Sequence, residues 1–280
     1  MSLKGIAKET LKILSQGGFH SSEGSWVAFD KEQNFAELNT RLYLPDSYSN
    51  LEFRSSELSV KPKFELMNKT TQQAAYQLVV TEGINDLVLL NYASARNAGG
   101  GFINGAKAQE EDLCRCSGLY PCLTTQALYY EINRENKSLL YTDHIIYSPQ
   151  VPWFRVSSRR LLDDFFLASV ITAPAPNAGE FLRQQQGTAQ EVADCLYQRC
   201  GKILAIARDN GHRNLLLGAW GCGVFCNDPN VVANMFSIWL ESETFNQAFD
   251  RVVFGLTGQS KPGTNFKAFE DRVLENNQLA

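Results

Sequence analysis

A layered α/β fold, with helices covering both faces of a mixed or parallel sheet, is predicted by three features of this sequence. Short apolar runs recur at Leu87–Leu90, His144–Tyr147, Phe165–Thr172, Leu215–Leu217 and Val252–Leu256. Segments with helical spacing separate them at Gln109–Asn133, Thr188–Asn210 and Asn230–Phe249. Two glycine-rich loops follow predicted strands, which is where open α/β sheets bind their ligands.

Taken in order, Ile6, Leu11, Ile13 and Leu14 give a first helix an apolar face, and Gly17-Gly18 stops it. A long polar connection follows. The segments RLYLP and ELSVKP, between Arg41 and Pro62, alternate briefly and are bounded by proline, as edge strands are. Asn68–Gly83 reads as a helix. Leu87–Leu90 is apolar at every position, which fits a strand buried on both faces, and the chemistry is expected just past its end. No repeat, low-complexity tract or linker interrupts the chain, so one domain over 1–280 is expected, with an N-terminal elaboration over roughly 1–60.

Composition narrows the function. The 280 residues are 44% hydrophobic and 20% charged, ordinary values for a globular chain. Lys plus Arg number 26 against 30 Asp plus Glu, a net charge of −4, so a polybasic nucleic-acid or membrane surface is not expected and any anion must be held locally. The most apolar stretch, Leu215–Phe225, is interrupted by Gly218, Gly221 and Gly223, which argues against a membrane span. Lys4, Lys8, Glu9 and Lys12 make the N-terminus a folded helix in preference to a signal peptide. Seven cysteines, an odd set, suit a reducing, cytoplasmic compartment.

The first glycine loop runs Asn91-Tyr92-Ala93-Ser94-Ala95-Arg96-Asn97-Ala98-Gly99-Gly100-Gly101-Phe102 and continues to Gln109-Glu110-Glu111. Three successive glycines let backbone take positive φ and approach a ligand closely. The second loop is Gly218-Ala219-Trp220-Gly221-Cys222-Gly223-Val224-Phe225, then Asn227-Asp228-Pro229 at a helix start. Backbone N–H groups there, with a helix N-terminus, can hold a phosphate without lysine. Neither loop is a Walker A or a GxGxxG element, so P-loop hydrolysis and Rossmann NAD binding lose ground.

Glu110 and Glu111, being adjacent on a helix, point about 100° apart, so one is expected to orient and the other to react. Complementing a helix dipole would explain them just as well taken alone. Glycosidic cleavage needs a carboxylic acid at the leaving oxygen and then a carboxylate to activate water, and Glu111 could do both in turn. The helix N-terminus favours its charged form; a bound diphosphate and partial desolvation favour the protonated one.

The spacing of Gly99-Gly100-Gly101 to Gln109-Glu110-Glu111 resembles the signature of the poly(ADP-ribose) glycohydrolases, in their bacterial, macrodomain-only branch. The blocks AQEEDLCRCSGLYPCL (from Ala108), YSPQVPWFR (from Tyr147), TAPAPNAG (from Thr172) and GAWGCGVFCNDP (from Gly218) are similar to the same family. The resemblance implies a macrodomain-like three-layer α/β/α fold with ADP-ribose as ligand. It implies that Glu111 is the catalytic glutamate, that Glu110 orients the ribose beside the scissile bond, and that Asn97, the three glycines and Gln109 bind ligand. It likewise puts the diphosphate at Gly221, Cys222, Gly223, Val224 and Phe225, with the Phe225 ring on the distal ribose. Ala98 departs from the proline expected before the glycines. The implied reaction is hydrolysis of the terminal ribose–ribose O-glycosidic bond of poly(ADP-ribose), releasing ADP-ribose, with no metal and no cofactor. Two other readings are removal of single ADP-ribose groups from protein or nucleic acid, and a module that binds ADP-ribose without cleaving it.

Other chemistry ranks lower. Cys114, Cys116 and Cys122, with Cys222 and Cys226, lack a CxxC pair, and only His20, His144 and His212 could complete a zinc set. A nucleophilic Cys222 with His144 or His212 leaves both glutamates unused. Tyr129, Tyr130, Phe165 and Phe166 read as core. Phe266 or Phe269 could cover an adenine, or equally anchor a terminal helix.

Overall fold

A computed structural model of the chain describes residues 2–48, 62–157, 160–258 and 265–279. The N-terminal part runs α1 (Leu3–Gln16), β1 (Gly18–His20), β2 (Trp26–Ala28), α2 (Asp30–Asn39) and β3 (Arg41–Tyr43). There follow β4 (Lys63–Met67), α3 (Thr71–Tyr76), β5 (Leu87–Tyr92), α4 (Gln109–Cys116), α5 (Leu119–Thr124) and α6 (Ala127–Glu135). The remainder is β6 (Ile145–Ser157), β7 (Arg160–Ala173), α7 (Ala178–Arg183), α8 (Ala189–Asp209), β8 (Asn214–Leu217), α9 (Pro229–Glu241), β9 (Arg251–Gly255) and α10 (Asn265–Leu279).

Seven strands form a mixed sheet in the order β3-β6-β7-β5-β8-β9-β4. β7, β5, β8, β9 and β4 are parallel to one another, while at one edge β6 runs antiparallel to β7 and β3 antiparallel to β6. Burial alternates strictly by face. Val88, Leu90, Leu215, Leu217, Val252 and Phe254 pack under α7–α10, whereas Leu87, Leu89, Leu216 and Val253 pack with α1–α6. Helices therefore shield both faces, and the central strands need no polar side. That is the predicted three-layer α/β/α fold.

Several elements differ from the sequence reading. The connection after α1 is not merely polar: Gly17, at φ 68°, caps α1, and a β1–β2 hairpin leads into α2. Phe29, stacked 5.4 Å from Phe154, and Phe19 anchor this stretch in a small core of their own. The predicted helix over Asn68–Gly83 is α3 followed by a π-helical turn, Gln77–Thr81. The one helix predicted over Gln109–Asn133 is three, because Ser117 leaves the helix to bridge to Trp153, and the Gly118 N–H donates to the Pro152 carbonyl. The helix predicted to Phe249 ends at Glu241, and Phe245 and Phe249 instead fill the core from a turn. The strand RLYLP is β3; ELSVKP lies almost wholly outside the described residues. Among the described residues no helix is long and apolar enough to cross a membrane.

Candidate active site

The C-terminal ends of the parallel strands open into a cavity of about 1200 Å³. Its wall takes residues from every loop there: Lys69 after β4, Ser94 to Asn104 after β5, Ala175 after β7, Ala219 to Phe225 after β8, and Leu256 after β9. The sheet sets this, since parallel strands bring all five loops to one side.

Each carboxylate is placed by backbone. Gln109 opens α4, and its side chain closes the end of β5: Oε1 accepts from the Tyr92 N–H at 2.8 Å, while Nε2 donates to the Leu90 carbonyl at 2.9 Å and to Thr71 Oγ1 at 3.2 Å. The next residue, Glu110, is therefore turned inward. Its carboxylate accepts from the Ser94 N–H at 2.7 Å and from Asn91 Nδ2 at 3.2 Å, the same amide donating to Thr172 Oγ1. Burial pushes Glu110 up to about 8, outweighing these donors, with the nearby Glu111 charge adding to the rise. Glu111 turns outward, its Oε1 accepting from the Gly101 N–H at 2.9 Å.

The glycines explain how two carboxylates pointing apart reach one place. At Gly100, φ is 57°, and a Cβ would collide with Glu111 Oε1 and lie 3.3 Å from Glu110 Oε2. Both carboxylates thus converge on the bare backbone of Gly100. Gly99, at φ 66°, faces Tyr120 and Cys114 and is not part of the cavity wall. Asn97 and Gly101 are. Behind the loop, Arg115 donates to the Ala106 carbonyl at 2.9 Å and pairs with Asp112 at 2.6 Å, which holds the Gly101–Ala106 turn against α4.

In the second loop the glycines divide the work. Gly221 has φ 73°, and a Cβ there would strike Ala175 and Asn227; Asn227 in turn donates to the Gly221 carbonyl at 3.0 Å and to the Pro176 carbonyl at 2.8 Å. Gly223 has open space around it. Gly221, Gly223, Val224 and Phe225 line the cavity, with Val224 86% exposed and Phe225 tilted against Tyr141 at 5.9 Å. The Cys222 side chain is directed away from the cavity, towards the core, and burial pushes its thiol up to about 12. The α9 N-terminus, expected to help hold phosphate, is already filled: Asp228 accepts from the Asn230 N–H at 2.8 Å, and Pro229 has no N–H.

The remaining candidates fall elsewhere. His212 accepts from or donates to Tyr147 at 2.7 Å and Asp86 at 2.6 Å, at the opposite end of β5, and His144 is held by Thr142; neither histidine lines the cavity. A Cys222–His pair is therefore excluded. Among the described residues no three His, Cys, Asp or Glu side chains are grouped as metal ligands. Phe266 and Phe269 are buried in the core, Phe269 5.1 Å from Phe254, so they anchor α10 and do not cover an adenine. Asn91 and Ser94, which hold Glu110, and Thr172, which accepts from Asn91, are positions that sequence reasoning did not single out for the site. Asn91 ending an apolar strand was the available signal.

A largely parallel sheet with two glycine loops around a carboxylate pair is the arrangement of a ligand-binding enzyme able to carry glycosidic acid–base chemistry. The family model for the microbial-type PARG catalytic domain matches residues 7–156, more than half of the chain and all of the first loop and α4. The chain belongs to that family of microbial-type poly(ADP-ribose) glycohydrolases. Solved structures extend the likeness through the second loop. The chain is 38% identical to the poly(ADP-ribose) glycohydrolase of Thermomonospora curvata, covering 96% of this chain and 98% of that one, with a TM-score of 0.91. The same enzyme bound to the inhibitor ADP-HPD gives a TM-score of 0.87. The Deinococcus radiodurans enzyme in complex with ADP-ribose is 40% identical over 87% of this chain and 98% of that one, with a TM-score of 0.80. No curated protein matched in the corresponding sequence comparison.

Proposed function

We propose that this chain hydrolyses the terminal ribose–ribose O-glycosidic bond of poly(ADP-ribose) and releases ADP-ribose. The observation that carries the reading is the convergence of Glu110 and Glu111 on Gly100, between the two glycine loops. The second loop supplies backbone for the diphosphate, which lets an acidic chain hold an anion without a lysine. Glu110, inward and braced at Ser94 and Asn91, orients the distal ribose.

Glu111 reacts. Its carboxylic acid gives a proton to the leaving 2′ oxygen as the C1″–O bond breaks, with the bonding electrons going to that oxygen and positive charge to the ribose ring. The resulting carboxylate takes a proton from water, whose oxygen bonds to C1″, and the acid is regenerated.

Incubation with defined poly(ADP-ribose) and with mono-ADP-ribosylated protein, followed by product identification, tests the proposal. Free ADP-ribose from the polymer is the expected result. Release only from the mono-modified protein would reassign the chain as a mono-ADP-ribosyl hydrolase, and tight ADP-ribose binding with no cleavage of either would make it a binding module.

A further inference from the structure

The order of loops along the sheet gives the cavity a direction. Lys69 and Leu256 stand at the β4–β9 edge, the 221–225 loop follows β8, and the carboxylates follow β5. On the proposed function a terminal ADP-ribose fills that run, with adenine towards β9 and β4, diphosphate at the β8 loop, and the bond to be cut at Glu111. The cavity does not stop there. It continues past the carboxylates along α5 and α6, to Tyr120, Ala127, Tyr130 and Arg134. Its 1200 Å³ exceeds the roughly 300–1,000 Å³ of most small-ligand sites.

Two observations mark this extension as a place for a ligand. Ala127, Tyr130 and Arg134 stand at i, i+3 and i+7, so α6 turns one continuous face to it. On that face Tyr130 is 4% exposed, and its hydroxyl has no hydrogen-bond partner among the described residues, which is unfavourable unless something bound supplies one. Arg134, exposed at the mouth, donates to the Arg96 carbonyl at 2.9 Å, which steadies its guanidinium there. Among the described residues Arg134 is in no salt bridge, although the chain is net acidic. An uncompensated guanidinium suits a phosphate, two of whose oxygens it can take at once.

We infer that α5 and α6 form a leaving-side subsite for the penultimate unit of the polymer, with Arg134 on its diphosphate and Tyr120 and Tyr130 beside its adenosine. This rests on the proposed cleavage at Glu111, because the unit beyond the cut bond is then an adenosine diphosphate joined through its 2′ oxygen. The subsite makes a second ADP-ribose unit part of what is recognised. A single ADP-ribose on a protein side chain cannot fill it.

The test compares a two-unit ADP-ribose dimer with a 4-nitrophenyl ADP-ribose, whose leaving group carries no phosphate. Arg134→Gln is expected to lower the ratio of kcat/KM on the dimer to that on the aryl compound about fivefold, mainly through KM on the dimer. Arg134→Lys should restore part of it. Added salt should lower the ratio in the parent more than in Arg134→Gln. An unchanged ratio in Arg134→Gln would overturn the subsite. If the parent cleaves neither compound, the proposed function fails separately, and calorimetry still judges the subsite: the dimer must bind more tightly than ADP-ribose, and Arg134→Gln must remove the difference. Equal affinities would overturn it.

Discussion

Glu111 holds its place through a single backbone donor, Gly101, so its side chain can be altered without disturbing the core. Removing a general acid and base costs on the order of 10²- to 10⁴-fold in rate, whereas removing a charge that merely complements a helix dipole costs stability and little chemistry. Glu111→Gln should therefore keep ADP-ribose affinity and lose nearly all release of ADP-ribose from polymer. Turnover within a few-fold of the parent would remove Glu111 from the reaction. The second loop allows a similar separation of roles. Gly223 has neither a positive φ nor a close neighbour, so Gly223→Val should leave thermal stability within about 0.5 kcal/mol while clearly weakening ADP-ribose in calorimetry. Gly221→Val should instead destabilise the fold, because φ is 73° and Ala175 and Asn227 occupy the space. Equal affinity of folded Gly223→Val and the parent would take this loop out of the diphosphate site. The glycines and both glutamates were legible in the sequence because their spacing resembles a family signature; taken alone, the glutamates read equally well as complements of a helix dipole. The division between Gly221 and Gly223 was not, since it depends on what other loops place beside each.

Between elements, one carbonyl gathers much of the support behind the site. The Arg115 carbonyl, on the last turn of α4, accepts from Thr10 of α1 at 3.0 Å and from Arg155 of β6 at 2.9 Å, and Arg155 also pairs with Glu9 at 2.7 Å. Arg155 is 1% exposed, so truncating it strips buried oxygens of their donor. Arg155→Met should cost about 2 kcal/mol in urea unfolding, less than for a fully buried pair because Glu9 is partly in water. A loss under about 0.5 kcal/mol would show that α1 docks independently of this junction. Such a junction joins residues 10, 115 and 155, and no local pattern in sequence announces it. The same limit explains the helices. β5 and β8 were readable because burial on both faces demands uninterrupted apolar runs, while the break at Ser117 arises from its pairing with distant Trp153. The β1–β2 hairpin was missed because each of its strands is only three residues long, too short for alternation to show.

For the molecule as a whole, the site is held at a cost that pH should reveal. Glu110 titrates at about 8 in the fold against an ordinary 4.5, so the native state binds more protons than the unfolded chain between those values. Stability from this group is thus greatest below about pH 4.5 and declines as pH rises towards 8. Glu110→Gln should remove that slope. The stability of this variant relative to the parent should rise between pH 5 and pH 9 by about 4 kcal/mol, since a tenfold change in proton affinity between folded and unfolded chain corresponds to about 1.4 kcal/mol. A difference that stays constant across that range in urea titrations would mean that Glu110 ionises in the fold as it does in water.

Gln109 carries a different consequence. One amide serves as acceptor for the Tyr92 N–H and as donor to the Leu90 carbonyl, so α4 is riveted to the strand through a side chain that imitates a further backbone unit. Its near analogues cannot make both bonds: glutamate lacks the donor, asparagine is one carbon short, and leucine offers neither group. The first letter of the Gln-Glu-Glu run is then a mechanical specification, and a mutational search would find that position closed whatever chemistry the two glutamates carry.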